Sequence, residues 1–208
     1  MSAVATKVRR TQSERSARTR AKLLDATIGC LYERGYAGTT TTEVADRAGV
    51  SRGAQLHHFP TKHELVTSAV DYLLERRLRE FREAFARLPA GVNRHDVAVD
   101  LLWSMFSGPT FYAWLELVVA ARTDPELRRT ISAIGRRFVE NVHRTHRDLF
   151  PAPESPSPFF DIAPDFTFSV MEGLALGRIA FDDEPRRRRI LDALKGLAAL
   201  ALPGGASR

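Results

Sequence analysis

TTTEVADRAGVSRGAQLHHFPTKHELV, residues 40–66, decides how the rest of the chain is read. Thr40 and Glu43 stand three apart, the spacing at which a threonine hydroxyl accepts the amide of the glutamate while the carboxylate reaches back to the cap. A helix is therefore expected to begin at Thr41 and run to about Ala48. Gly49 and Val50 make a short turn, and Ser51 is placed to cap a further helix from about Arg52 to His58. Pro60 ends it, because the residue before a proline avoids helical geometry. Thr61 and Glu64 repeat the capping spacing and open the next helix. Two short helices joined by Ala-Gly-Val-Ser make a helix-turn-helix, the motif whose second helix enters the major groove of duplex DNA. Ala45 and Ala48 keep its first helix small where the second must cross it.

Outward from this segment the period stays helical. Leu23, Leu24, Ile28 and Leu31 recur at helical spacing before Gly35, a suitable C-terminal glycine. Beyond Glu64, Val66, Val70, Leu73, Leu74, Leu78, Phe81 and Phe85 give one long apolar stripe. Further helices fit Arg94 to Ser107, Phe111 to Arg122, and Pro125 to about Leu149 with Asp124 as its cap. PAPESPSP, residues 151–158, reads as a linker or loop, after which Phe166 to Phe181 and Ile190 to Ala201 mark a closing antiparallel pair. No alternating strand pattern and no internal repeat is visible. The fold class is all-α.

The 208 residues suffice for ordinary apolar cores, and 44% hydrophobic with 27% charged residues is a globular composition. Cys30 is the sole cysteine, which rules out an internal disulfide and any zinc site built on two thiolates. A reducing cytoplasm fits, and neither a membrane span nor secretion is supported. The net charge of +6 is localised: residues 1–62 carry eleven Lys or Arg against five Asp or Glu, and residues 63–208 carry twenty of each. Such a block is the footprint of a polyanion binder, since neutralised phosphates release counterions.

Residues 40–66, following Gly35-Tyr36, resemble the DNA-binding domain of TetR-family transcriptional regulators through AGVSRGA, HHF and Lys62. The match covers about residues 15–66, and the remainder is similar in architecture alone. The resemblance implies a basic flexible arm (1–13), an N-terminal three-helix helix-turn-helix domain (14–62), and a C-terminal helical ligand-binding and dimerisation domain (63–208). It also implies a cytoplasmic homodimer that binds pseudo-palindromic double-stranded operator DNA. Repression is expected over activation, because occupying an operator blocks polymerase without further contacts.

The implied DNA-binding residues are Thr40, Thr41, Ser51, Arg52, Gly53, Ala54, Leu56, His57, His58 and Lys62. Thr40 and Thr41 lie at a helix N-terminus that favours a phosphate, with plain capping as the alternative. Arg52 is the candidate for bidentate guanine reading, Ala54 or Leu56 for a thymine methyl, and His58 and Lys62 for backbone phosphate. Gln55-Leu56 departs from the family pattern, in which an apolar residue followed by tyrosine is common. Gln55 reads either as a buried hydrogen-bonding residue or as an adenine reader, with the buried role preferred. The basic residues before helix one, Lys7, Arg9, Arg10, Arg15, Arg18, Arg20 and Lys22, suit a minor groove or phosphates.

In the last two helices Gly173, Ala175, Gly177 and Ala180 interleave with Phe168, Met171, Leu174 and Phe181, either to pack on their own core or to form a four-helix dimer bundle. Arg186 to Arg189, beside Asp182, Asp183 and Glu184, read as solvated or rim residues. Trp103, Phe106, Phe111, Trp114, Phe138, Phe168 and Met171 are core residues or the lining of a pocket for a small hydrophobic or amphipathic ligand, with Glu116 and His143 as polar anchors. Two other classes compete. Glu140, His143 and His146 resemble one half of a di-iron helical site, but no second copy exists. A helical adaptor without operator binding is the third reading. No phosphate-cradling loop or nucleophile elbow is present, so neither a cofactor nor enzymatic activity is expected.

Overall fold

The computed structural model of the chain describes residues 11–150 and 158–201. These residues form helices and no strand. The first compact unit ends at Tyr72 and the second begins at Leu73.

The first unit holds α1 (Gln12–Gly38), α2 (Thr41–Ala48), α3 (Arg52–His58) and the start of α4 (Lys62–Ala86). α1 begins well before its apolar stripe because Thr11 and Glu14 form a complete capping box: Thr11 Oγ1 accepts the Glu14 N–H at 3.2 Å, and the Glu14 carboxylate accepts the Thr11 N–H at 2.9 Å. Arg15, Arg18, Arg20 and Lys22 therefore stand exposed on a helix and not on a flexible arm. The expected arm residues Lys7, Arg9 and Arg10 lie outside the described residues. Gly35 interrupts α1 at φ 68°, ψ 178°, a conformation open to glycine, and one further turn closes when Thr39 N–H donates to Gly35 O.

α2 and α3 have the bounds read from their caps. Gly49, at φ 62° and ψ 42°, supplies the left-handed turn between them. The capping box expected at Thr40 forms by half: Thr40 Oγ1 accepts the Glu43 N–H at 3.2 Å, but the Glu43 carboxylate turns to Arg34 Nε at 2.6 Å. α1 packs on α2 and α3, with Leu23, Leu24, Leu31, Val44 and Ala45 buried. Arg47 of α2 fastens this arrangement by a bidentate pair to Glu33 of α1, both bonds at 2.6 Å. Its guanidinium lies over Gly29, where any Cβ would stand 2.7 Å away.

The second unit comprises the rest of α4 with α5 (Arg94–Phe106), α6 (Pro109–Ala121), α7 (Pro125–Leu149), α8 (Pro158–Ala180) and α9 (Glu184–Ala201). α5 packs against α6, α8 and α9, and α7 packs against α6 and α8. Asn93 and Asp124 cap α5 and α7 through their side-chain oxygens, and Pro109 and Pro125 occupy first turns where no amide is needed. One apolar cluster is built on Phe106, Phe111, Met171, Leu174 and Leu191, and another on Phe81, Phe85, Ala98, Phe150 and Phe160.

α8 corrects the expectation of a linker through residue 158. Residues 151–157 lie outside the described residues, whereas Pro158 opens the helix and Pro164 sits within it. The helix interior tolerates Pro164 despite the lost backbone bond, with its ring buried against the second cluster's side of the unit. Among the described residues no helix is long and apolar enough to cross a membrane.

Candidate nucleic-acid interface and the cavities of the helical unit

α3 is two-sided. Ser51 caps it by accepting the Ala54 N–H at 3.2 Å, and Phe59, buried just past its end, fixes the exit. Gln55 faces inward and is fully buried: its Nε2 donates to Phe59 O at 2.7 Å, and its Oε1 has no partner among the described residues. The opposite side is open, with Ser51, Arg52, Gly53, Leu56 and His57 exposed and Ala54 and His58 half-buried. Leu56 is 43% exposed, a large apolar side chain left partly open to solvent. Arg52 is held by Thr42 of α2, whose hydroxyl accepts from the guanidinium. Thr42 went unsingled in the sequence because its role depends on the angle at which α3 crosses α2.

The flanking residues are also located. Thr40 is exposed and Thr41 half-buried at the start of α2. Lys62 donates from Nζ to Tyr36 O at 2.6 Å and lies 4.3 Å from the centre of the Tyr36 ring, and burial draws its pKa below the usual lysine value. Two of its ammonium donors remain after that bond. His58 is drawn below the ordinary histidine value by burial, then by His57 and Arg20. Arg20 lies 5.2 Å from the Phe59 ring, which brings one α1 cation to the end of α3.

The second unit contains two neighbouring cavities, of about 90 Å³ and about 180 Å³. Met105, Phe138 and Phe168 line both. Of the aromatic residues read from the sequence, Phe106, Phe111 and Trp114 line the larger. Met171 is instead fully buried in the core beside them, and Trp103 packs on that core with the Arg178 and Arg187 guanidinium groups 5.9 and 5.6 Å from its ring. Neither suggested anchor is in a wall: Glu116 is half-buried elsewhere on α6, and His143 Nε2 pairs with the Asp165 carboxylate at 3.1 Å.

Other polar groups occupy those walls. The larger cavity has Arg77, which donates from Nε to Thr110 Oγ1 at 3.1 Å and from Nη1 to Glu80 at 2.8 Å. It also has Glu172, whose carboxyl is raised above its ordinary value by desolvation. The smaller has His95, Thr145 and His146. Phe138, Val142, Thr145, His146 and Leu149 recur at helical spacing along α7, a periodicity from which His146 could have been found. Among the described residues no group of three or more histidine, cysteine or carboxylate side chains could hold a metal, and Glu140 is exposed.

α8 and α9 divide the residues of the expected dimer pattern. Met171, Leu174 and Ala175 are buried in their own unit, and Phe168 lines the cavities. Outward lie Leu176, Ile179, Phe181, Leu197 and Leu200, all exposed, with open space over Gly173, Gly177 and Gly196. Arg187 pairs with Asp182 and Arg188 with Glu184, while Arg186 and Arg189 are exposed.

Comparison with known proteins places these features in context. Residues 23–69 match the family described as bacterial regulatory proteins, tetR family, and residues 96–200 match the tetracyclin repressor-like C-terminal domain. The HTH-type transcriptional regulator CymR of Pseudomonas putida is 42% identical over 194 residues, covering 91% of this chain and 94% of that protein. The crystal structure of the transcriptional regulator FadR from Bacillus subtilis in complex with stearoyl-CoA shares the fold at a TM-score of 0.63 with 15% identity, over 88% of this chain and 98% of that one. A transcriptional regulator from Saccharomonospora viridis in complex with choline has a TM-score of 0.65 with 15% identity, over 95% of this chain and 100% of that one.

Proposed function

Because this chain belongs to the TetR family of bacterial regulatory proteins, a family of DNA-binding transcriptional regulators and not of enzymes, we propose that it is a cytoplasmic homodimeric repressor released from its operator by a small hydrophobic or amphipathic ligand. The observation that carries this reading is the two-sidedness of α3: Gln55 is buried while Arg52, Gly53, Leu56 and His57 face solvent.

In this reading Arg52 donates to the acceptor edge of guanine, with Thr42 limiting its rotamers before contact. Ala54 and Leu56 meet thymine methyl groups, and Ser51, Gly53 and His57 line the same surface. Thr40, Thr41, His58 and Lys62 position the unit on phosphates, Lys62 with the donors that Tyr36 leaves free. Arg15, Arg18, Arg20 and Lys22 add salt-dependent affinity from α1. Two copies related by a twofold axis through the outward apolar faces of α8 and α9 would present two such helices to a pseudo-palindrome.

The ligand's seat in this reading is the pair of cavities in the second unit, in keeping with the small-molecule complexes of the two structural neighbours. A ligand shifts DNA affinity only by its preference between the two conformations of the dimer. The test is selection of bound duplexes from a random pool by the full-length protein, with and without extract of small molecules from cells. Enrichment of a twofold-symmetric site, weakened by the extract, is expected; no enrichment at low ionic strength refutes operator binding, and enrichment indifferent to every extract refutes release.

A further inference from the structure

The cavity of about 90 Å³ is walled chiefly by carbon, from Phe81, Val99, Phe138, Phe150, Pro164 and Phe168. An apolar cavity of roughly 150 Å³ holds one benzene ring, so a one-ring molecule fills this cavity and reaches past Met105, Phe138 and Phe168 into the neighbouring one of about 180 Å³. The polar atoms in the wall differ in what they have left to offer. Thr145 Oγ1 donates to Asn141 O at 2.8 Å and accepts from the Arg82 guanidinium, at 2.9 Å from Nε and also from Nη2, so its hydroxyl is saturated. His146 Nε2 is buried and has no hydrogen-bond partner among the described residues.

The surroundings of the ring limit how far the chain can relieve this by turning it. The imidazole is flanked by Phe150 and Phe160, with centroids 5.3 and 4.6 Å away, and neighbouring aromatics hold it where it is. A buried polar atom left unpaired costs on the order of 1–3 kcal/mol, so its retention at a cavity wall calls for a partner. Burial, with His143, His95 and Arg147 adding to it against the opposing Asp161, holds the pKa of this ring at about 4, so the side chain is uncharged at neutral pH. A neutral imidazole nitrogen is a donor or an acceptor according to tautomer, and an O–H group serves either.

We propose that His146 Nε2 is the hydrogen-bonding anchor for a compact, predominantly apolar ligand that carries a single hydroxyl group and sits in this cavity. This deepens the ligand-responsive reading above and rests on it for regulatory meaning, although the binding itself does not. Met105, Phe138 and Phe168 divide this cavity from the larger one, so an apolar body too long for the first extends past them toward Trp114 when their side chains turn.

The experiment is calorimetric titration of the full-length protein, without DNA, with 4-ethylphenol, 4-ethylbenzyl alcohol and ethylbenzene. At least one O–H probe is expected to bind roughly ten-fold tighter than ethylbenzene, the scale of one net hydrogen bond. The two O–H probes separate a phenolic hydroxyl from an alcoholic one. His146→Leu should abolish the preference while keeping ethylbenzene binding, and His146→Gln should restore part of it. The proposal is overturned if ethylbenzene binds the wild type as tightly as both O–H probes, if no probe binds, or if the preference survives in His146→Leu. Should the leucine variant not fold, the wild-type His146 Nε2 nitrogen resonance decides: it moves with the favoured O–H probe and not with ethylbenzene, and equal response to both refutes the anchor. An intact probe preference without any effect on DNA affinity supports the anchor and refutes ligand release. Intact DNA binding without the preference refutes the anchor alone.

Discussion

Acidification should weaken the folded chain through His146, by an amount that can be worked out. The unfolded chain takes up this proton near pH 6.5, while the folded chain resists it until about pH 4, so between these values the unfolded state binds more protons. Stability conferred by the neutral ring is therefore present above pH 6.5 and is lost as the pH falls toward 4. Each tenfold change in proton affinity is worth 1.36 kcal/mol, which makes the full displacement roughly 3 kcal/mol. The ring keeps partial access to solvent, and screening brings the expected loss to about 2 kcal/mol. Urea unfolding of wild type and His146→Leu at pH 7.0, 6.0, 5.0 and 4.5 measures it as the difference between the two pH profiles. His58, also drawn down by burial, is common to both proteins and cancels. The wild type should lose about 2 kcal/mol more than the variant across this range, and parallel profiles would refute the assignment of a buried neutral imidazole.

Two further outcomes follow from the packing. In Gly29→Ala the new Cβ displaces the Arg47 guanidinium, 2.7 Å away, and dissolves its pair with Glu33, while the helix gains about 1 kcal/mol from alanine. Glu33→Ala should then lower the urea midpoint of the wild type and leave that of the Gly29→Ala protein unchanged, and equal shifts would contradict the clash. Ile179, 63% exposed on the outward face of α8, should when changed to glutamate leave helical circular dichroism intact while sedimentation shifts from dimer to monomer; an unchanged dimer would place the interface elsewhere.

What the sequence disclosed tracks how locally each feature is determined. α2 and α3 were legible to the residue because Thr40, Gly49, Ser51 and Pro60 act on their immediate neighbours. The start of α1 was equally local, in the pair Thr11 and Glu14, but the basic composition around it read as an arm. α8 was begun late because a proline-rich stretch looked continuous through residue 158, although proline is at home in a first helical turn. Helical spacing marked Phe106, Phe111 and Trp114 as inward-facing but left core and pocket lining open, because which of them borders a cavity depends on how α5 and α6 pack. Which histidine of α7 faces the cavity did not follow, because Asp165, distant in sequence, draws His143 aside and leaves the inward place to His146. The aim of Arg52 through Thr42 was hidden likewise, being set by the crossing of two helices.

The central claim is that the outward side of α3 reads duplex DNA. It is tested most directly by fluorescence anisotropy on the selected twofold-symmetric duplex and on a scrambled one, comparing wild type, Arg52→Ala and, as a control, Arg136→Ala at an exposed position of α7. Loss of one bidentate base contact per half-site should weaken specific binding at least ten-fold and narrow the gap between the two duplexes, since each such contact is worth about 1–3 kcal/mol of discrimination. Arg136→Ala should behave as wild type. An Arg52→Ala protein with undiminished preference for the selected duplex would contradict the account.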